Sequence, residues 1–515
     1  MSLPTSRFNL IDESWIPVRF PDGTRSELGI RDTLLRAKDI AVIEDPSPLV
    51  VASLHRFLLA VLYRALEGPT DIDQAKDWFK TGLPADKIEA YLTKWRERFW
   101  LFDEKYPFGQ NPNVPAKEIE PWTKLTVEHN ATTNKVLFDH VDTKSPGVRT
   151  YSECARWLTS TMTFSLSGGR GYFPSPSVNG LMCIPVGRNL HETLCYCLVD
   201  QNREVIKGDF PLWERRPECV PINSPKRPVK GNADLYTWPA RMVLLNELPS
   251  GGVAYIRFVS GLGFEPSVTF SDPMLAYRRS KEKGRYALPF REGRGTWRDF
   301  DSLLPGAGGE APLTVQHSIR LANRDPKRLP KSVLVLGMRY SPPNANVDFW
   351  RMERFSLPEA LLSDKEIRED IRQLLSVVED AGSSLRSSLR VFHKSVVTHG
   401  DRNLTKQETE ALKKTVANSP ALQWLWSTLG SSFQDRLNEF KLDCDADDIR
   451  FDWLKAVRAA LRAAWEQHAA SVSTGEAWAI RALVRAEGVI DKQLKFLSAE
   501  IGKYESHRTS QEQTA

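Results

Sequence analysis

The chain has 515 residues, more than one hydrophobic core usually organises, so two or more domains are expected. With 41% hydrophobic and 26% charged residues it reads as a soluble globular protein, and a net charge of +5 permits a nucleic-acid partner without requiring one. The opening, MSLPTSRFNLIDESWIPV, has no charged start followed by an apolar run, and the six cysteines include no CxxC pair. A secretory signal and a zinc site are therefore not expected, and the chain reads as a reduced cytoplasmic protein.

Residues 8–20 read as a strand entering a hairpin at Pro21-Asp22-Gly23. Ala37 to Ile43 reads as helical and leads into an apolar helix over 49–66. His55, Arg56 and Arg64 interrupt that helix, which suits burial in a core better than a membrane span. Further helices are expected over Ile72–Phe79 and Lys87–Phe99. From about 104 to 150 the pattern dissolves into Pro, Asn, Thr and Lys, and long loops of this kind are often functional.

Between 160 and 350 the hydrophobic period is nearer two. Strands are expected at Leu181–Val186, Met242–Leu245, Val253–Val259, Ser267–Phe270 and Val333–Leu336. Cys195 and Cys197 fall on one face if their segment is a strand, as small buried hydrophobes.

The stretch Tyr277–Arg298 concentrates the positive charge. Eight basic residues (Arg278, Arg279, Lys281, Lys283, Arg285, Arg291, Arg294 and Arg298) face only Glu282 and Glu292. Tyr277, Tyr286, Phe290, Trp297 and several glycines interleave with them. Such a strip suits a phosphate backbone: cations displace counterions, rings offer flat faces, and glycines allow close approach. It also suits a plain solvated loop. Lys226, Arg227, Lys230, Lys327 and Arg328 are further candidate phosphate contacts.

After Leu357-Pro358 the period becomes helical. Capping boxes at Ser363–Glu366, Thr405–Glu408 and Ser473–Glu476, with an acidic start at Asp445–Asp448, mark amphipathic helices over about 363–397, 405–440, 447–470 and 474–504. The fold class is thus α+β: a mixed α/β N-terminal domain over 1–360, a C-terminal four-helix bundle over 361–505, and a disordered polar tail over 506–515.

Enzyme signatures are absent. There is no GxxxxGK[ST], HExxH or GxSxG, and Gly168-Gly169-Arg170-Gly171 lacks dinucleotide spacing. No catalytic residue, metal ligand or cofactor is assigned. The competing readings are a metal-dependent nuclease whose carboxylates come from distant positions, and an assembly scaffold without DNA contact.

The string FNLIDESWIPV, then Asp32-Thr33-Leu34 and the helix at 49–66, resembles the opening of the CasA family, the large subunit of the type I-E CRISPR surveillance complex, Cascade. The order of the later loops, the basic strip, an Asn/Pro hairpin and the helical bundle extends the likeness over nearly the whole chain. The resemblance implies a non-catalytic subunit that binds double-stranded target DNA, recognises a short motif (the PAM) from the minor groove and starts strand separation. It further implies contacts with the guide-RNA end and other Cascade subunits, recruitment of a helicase-nuclease, and no membrane.

The family's glycine-rich reading loop falls on Ser175–Gly180, where Ser177, Asn179 and Gly180 are candidates; Gly168, Gly169 and Gly171 are an alternative placement. The lysine that enters the groove is Lys281 or Lys283, with Arg285 beside them. A wedge that unstacks the duplex falls on Pro343, Asn344, Ala345 and Asn346, with asparagine at 344 where the family pattern has glutamine. Leu137, Phe138 and Asp139 match the segment that docks onto the guide-RNA end, and Arg386, Arg390 and Lys394 are candidate cations along the displaced strand.

Overall fold

The computed structural model describes residues 6–131, 134–135, 141–168, 171–215, 224–266, 271–282, 284–306, 310–323, 325–341, 346–399, 402–441, 444–473 and 475–512. The chain divides into two units: Met1–Phe290 with Gly309–Phe355, and Arg291–Gly308 with Ser356–Ala515. One division falls at Phe355, near the expected residue 360. The excursion 291–308 into the second unit has no counterpart in the sequence reading.

The first unit opens with strands β1 (Arg7–Asn9), β2 (Ile16–Arg19) and β3 (Arg25–Leu28), helix α1 (Ile30–Leu35) and strand β4 (Val42–Ile43). The Asp22 carboxylate accepts the Thr24 N–H at 2.9 Å and closes the β2–β3 turn. Ala37–Ile43 is not helical: Val42 and Ile43 pair with Arg19 and Val18, and strand pairing overrides local helix propensity.

Helix α2 (Pro48–Leu66) is the axis of this unit. The Ser47 hydroxyl caps it by accepting the Val50 N–H, and Pro48 occupies the first turn, where no N–H is needed. It is long and apolar enough to cross a membrane, yet 94% of its apolar window is buried inside the protein. Its Phe57 meets Trp15, Phe108 and Trp213 edge-on, with ring centroids 5.5, 5.7 and 5.5 Å away.

Helices α3 (Ile72–Thr81) and α4 (Ala85–Lys94) follow, then β5 (Trp100–Phe102), β6 (Ile119–Pro121), β7 (Asn130–Ala131) and β8 (Asn134–Lys135). Helix α5 (Tyr151–Phe164) then starts on a complete Thr150/Glu153 capping box. The sequence reading has no helix there. Next come β9 (Met182–Val186), α6 (Leu190–Cys197), α7 (Arg203–Gly208), β10 (Ser224–Arg227) and α8 (Asn232–Tyr236). Cys195 and Cys197 lie on α6 rather than on a strand, because the Asn189 side chain caps a helix start. Both are buried, and burial pushes both thiols above their ordinary range.

Strands β11 (Arg241–Glu247), β12 (Val253–Ser260) and β13 (Leu262–Phe264) precede the hairpin β14 (Tyr277–Ser280) and β15 (Gly284–Ala287). Helix α9 (Leu313–Ala322) leads to the long strands β16 (Ser332–Ser341) and β17 (Asn346–Ser356). Among the described residues three sheets have three strands, ordered β3-β2-β4, β11-β12-β6 and β17-β16-β9. The strand expected at Ser267–Phe270 lies outside the described residues.

The second unit holds α10 (Glu359–Ser363), α11 (Lys365–Thr398), α12 (Lys406–Ala417), α13 (Pro420–Glu439), α14 (Ala446–Ala470) and α15 (Ala477–Glu512). Four long helices, α11, α13, α14 and α15, form the bundle. The helix expected over 405–440 breaks into α12 and α13, because Pro420 has no N–H to bond backward and instead begins a new helix. A glycine inside α11 has a packing cause: a Cβ on Gly382 would lie 1.8 Å from the Trp426 ring of α13. The expected disordered tail is corrected as well, since α15 continues past Tyr504 to Glu512. Extending an existing helix costs little, and Ser506 donates back to the Gly502 carbonyl at 2.9 Å.

Candidate nucleic-acid interface

Three sequence-distant elements of the first unit share one root. The Leu181 N–H, just after the 175–180 loop, donates to the Leu288 carbonyl at 2.9 Å, and the Leu288 N–H donates to Ala276 at 2.8 Å. The loop is thereby tied to the base of the β14–β15 hairpin. Gly337 on β16 packs against both: a Cβ there would stand 3.0 Å from the Gly180 carbonyl oxygen and 3.1 Å from the Phe290 ring. Phe290 meets Phe349 of β17 edge-on at 6.2 Å, and Arg339 Nη1 donates to the Phe290 carbonyl at 3.3 Å.

Register fixes the direction of both hairpins. Strand β16 runs antiparallel to β9, with Ser332 opposite Val186 and Leu336 opposite Met182. Met338 to Ser341 therefore continue beyond the N-terminal end of β9. Leu275 also pairs antiparallel with Met182, so β14 leaves in the same sense. The 175–180 loop enters β9 at that same end. One end of the sheet thus carries the loop and the roots of two outgoing hairpins.

Within the loop, the side chains divide. Ser177 is turned inward, 2% exposed, and its hydroxyl donates to the Asp272 carboxylate, so the expectation that it faces DNA is corrected. Gly180 is buried against Leu275, where a Cβ would come within 2.5 Å of the leucine side chain. Asn179 is exposed. At the alternative placement, Gly168 bridges to Tyr172 and Gly171 has φ 88°, while Gly169 lies outside the described residues.

The basic strip is divided between the two units. Residues 277–290 belong to the first unit and 291–298 to the second. Arg294 pairs with Asp299 and Glu379 at 2.8 Å each, and Arg298 pairs with Glu379 at 2.7 Å while lying 3.5 Å over the Trp426 ring. Their charge is answered inside the bundle unit, which overturns their reading as phosphate contacts. Tyr277, Phe290 and Trp297 are buried rather than offered as flat faces. Arg279 and Arg285 both pair with Glu310, at 3.0 and 2.6 Å, and Arg285 also lies 3.7 Å over the Tyr277 ring. Lys281 is exposed at the hairpin tip.

Lys283, Pro343, Asn344, Ala345, Leu137, Phe138 and Asp139 lie outside the described residues. Asn346 is the first residue of β17 and is exposed. Among the other cations, Arg227 is held by Asp234 and Arg328 by Asp325, whereas Lys226, Lys230 and Lys327 are exposed. Arg386, Arg390 and Lys394 are exposed on α11.

A family model described as CRISPR-associated protein Cse1 (CRISPR_cse1) matches residues 9–464. This chain belongs to the Cse1 family. A Cse1 relative, the CRISPR-associated protein CasA/Cse1 of Thermus thermophilus, is 34% identical over 509 residues, covering 96% of this chain and 99% of its own length. The solved structure of Thermus thermophilus CasA (Cse1) matches with a TM-score of 0.80 at 32% identity, over 95% of this chain and 99% of that one. A chain from a CRISPR RNA-guided surveillance complex shares the fold, with a TM-score of 0.69 at 20% identity over 95% of this chain and 100% of that one. The family is thus the one its N-terminal string resembles, the large subunit of Cascade.

Sequence reasoning missed the groups that tie the loop and the β14–β15 hairpin together: Arg56, Asp272 and Glu310. One signal was present. Arg56 stands inside an otherwise apolar helix, and a buried cation requires a buried partner.

Proposed function

We propose that this chain is the duplex-engaging subunit of its surveillance complex. It holds target DNA with the 175–180 loop and the two hairpins and checks a short motif from the minor groove. Strand opening starts there, while guide RNA reads the sequence by base pairing. The supporting observation is the common root through Leu181, Leu288 and Gly337, which carries all three elements on one end of the β9 sheet.

Asn179 supplies an amide that can donate and accept at base edges, in a groove whose pattern mainly separates A·T from G·C. Lys281 supplies a cation for phosphate or groove. The tip between Ser341 and Asn346 serves as the wedge, at a cost of about a few kcal/mol per unstacked step. The loop with Leu137, Phe138 and Asp139 docks onto the guide-RNA end. The complex holds other Cascade subunits and recruits a helicase-nuclease after pairing, in the cytoplasm. Arg386, Arg390 and Lys394 accompany the displaced strand.

Catalysis is assigned to the recruited helicase-nuclease. Duplex incubated with the subunit and Mg²⁺ is expected to remain intact. In the assembled complex, Asn179→Ala is expected to weaken binding of motif-bearing duplex about tenfold and leave scrambled duplex unaffected. Lys281→Ala is expected to weaken both and to flatten the salt dependence by about one unit of slope. Unchanged binding in both variants would leave the chain a scaffold.

A further inference from the structure

The 175–180 loop and the β14–β15 hairpin meet at a buried charge. Arg56, in the middle of α2, is 1% exposed, and Asp272, just before β14, is 0% exposed. Arg56 Nη1 donates to Asp272 Oδ2 at 2.7 Å, and its guanidinium lies 4.3 Å from the Tyr236 ring centroid. The same carboxylate oxygen accepts the Ser177 hydroxyl from the loop, and Arg56 Nη2 reaches Ser177 Oγ at 3.5 Å.

On the other side, Asp272 Oδ1 accepts the Met274 N–H at 2.9 Å, and the Asp272 N–H donates to the Tyr277 hydroxyl at 2.8 Å. Tyr277 is the first residue of β14, and the Arg285 guanidinium of β15 covers its ring. A continuous chain of contacts therefore runs from loop to hairpin through one residue, Asp272, whose carboxylate takes the loop and whose main-chain N–H takes Tyr277, anchored on the long buried helix α2.

Fold stability does not explain this arrangement. Burying two charges costs desolvation that the pair only roughly repays, and well-packed apolar residues of similar volume often serve as well or better. The Arg56 Nε is moreover buried with no hydrogen-bond partner among the described residues. What the pair supplies and an apolar contact does not is direction: fixed hydrogen bonds that set Ser177 of the loop relative to the Asp272–Met274 segment that leads into the hairpin.

We propose that the Arg56–Asp272 pair is a positioning element that fixes the spacing between the reading loop and the basic hairpin, and so sets motif selectivity rather than the strength of duplex binding. The inference rests on the duplex-binding reading above. Asn179 lies two residues beyond Ser177, and Lys281 one residue beyond the end of β14. A shift at the pair therefore displaces one reading group relative to the other while leaving the exposed cations in place.

The test uses the assembled complex with guide RNA and two variants, Asp272→Asn and the double Arg56→Met/Asp272→Leu. Affinity is measured for motif-bearing and scrambled duplex, alongside Tm. The double variant is expected to stay folded, with a Tm lowered by the loss of the Ser177 and Met274 hydrogen bonds, and to keep its affinity for scrambled duplex, while the motif-to-scrambled ratio falls about tenfold. Asp272→Asn, which keeps the shape, gives the same test if the double variant does not fold, with a smaller fall in the ratio expected. An unchanged ratio in a folded variant overturns the inference. Asn179→Ala run in parallel separates the two levels: if it too leaves the ratio unchanged, the duplex-binding reading has failed, and if it alone lowers the ratio, only the positioning role has.

Discussion

Duplex binding by the assembled complex is expected to tighten when Glu310 is replaced by glutamine. Glu310 accepts from Arg279 and Arg285 and exchanges two main-chain hydrogen bonds with Tyr277, at 2.8 and 2.9 Å. Its carboxylate thus sits between two hairpin arginines and offsets their charge. The Arg285 hydrogen bond holds the Glu310 carboxyl below its usual range, so it stays ionised near neutral pH and continues to cancel hairpin charge. A depressed folded-state pKa also means that its contribution to stability is present above the ordinary carboxylate range and fades as pH falls through the folded value. Removing the negative charge should raise affinity about three- to tenfold at low salt and steepen the plot of log K against log salt by about one unit. Filter binding across a salt series reads both. Equal or weaker binding by Glu310→Gln would remove the hairpin from the DNA contact.

The largest stability effect is expected in the bundle, at Trp453. Its side chain is completely buried on α14, its indole N–H donates to the Leu374 carbonyl of α11 at 2.9 Å, and its ring meets Phe433 of α13 at 6.1 Å. One residue therefore joins three of the four long helices. Trp453→Ala is expected to cost about 3–5 kcal/mol through lost transfer energy and the cavity left behind. Thermal unfolding followed by hydrogen exchange in α11–α15 should show it, with Trp453→Phe falling between. An unchanged melting profile would mean that the bundle is not held at this point.

Much of the fold was legible, and the misreadings have identifiable causes. The alternation at 242–245, 253–259 and 333–336 lies within β11, β12 and β16. The Thr405–Glu408 box caps α12 as its spacing implies. Helix α5 was missed although Thr150-Tyr151-Ser152-Glu153 carries the same signature, because the polar run before it masked the change of period. The break at Pro420 was equally visible in the residue itself.

The site was harder to read because its decisive partners are remote in sequence. Ser177 turns inward for Asp272, 95 positions away, and Arg298 is claimed by Glu379, 81 positions away. No local pattern separates a basic residue that meets solvent from one that meets a distant carboxylate. Charge density along the chain therefore overstated the basic surface: of the eight cations in the strip, Arg291, Arg294 and Arg298 belong to the bundle unit, where Arg294 and Arg298 are paired with carboxylates, and two more share Glu310. The order of loops was a better guide than their charge, since loop and hairpins do meet at one root.

The most direct measurement places a photo-crosslinking residue at position 179 and, separately, at 281, in the complex assembled with guide RNA and a motif-bearing duplex. Both positions should cross-link to DNA at or beside the motif, and the cross-link from 179 should disappear when the motif is scrambled. Absence of DNA cross-links from both positions, in a complex that still binds its target, would contradict the account.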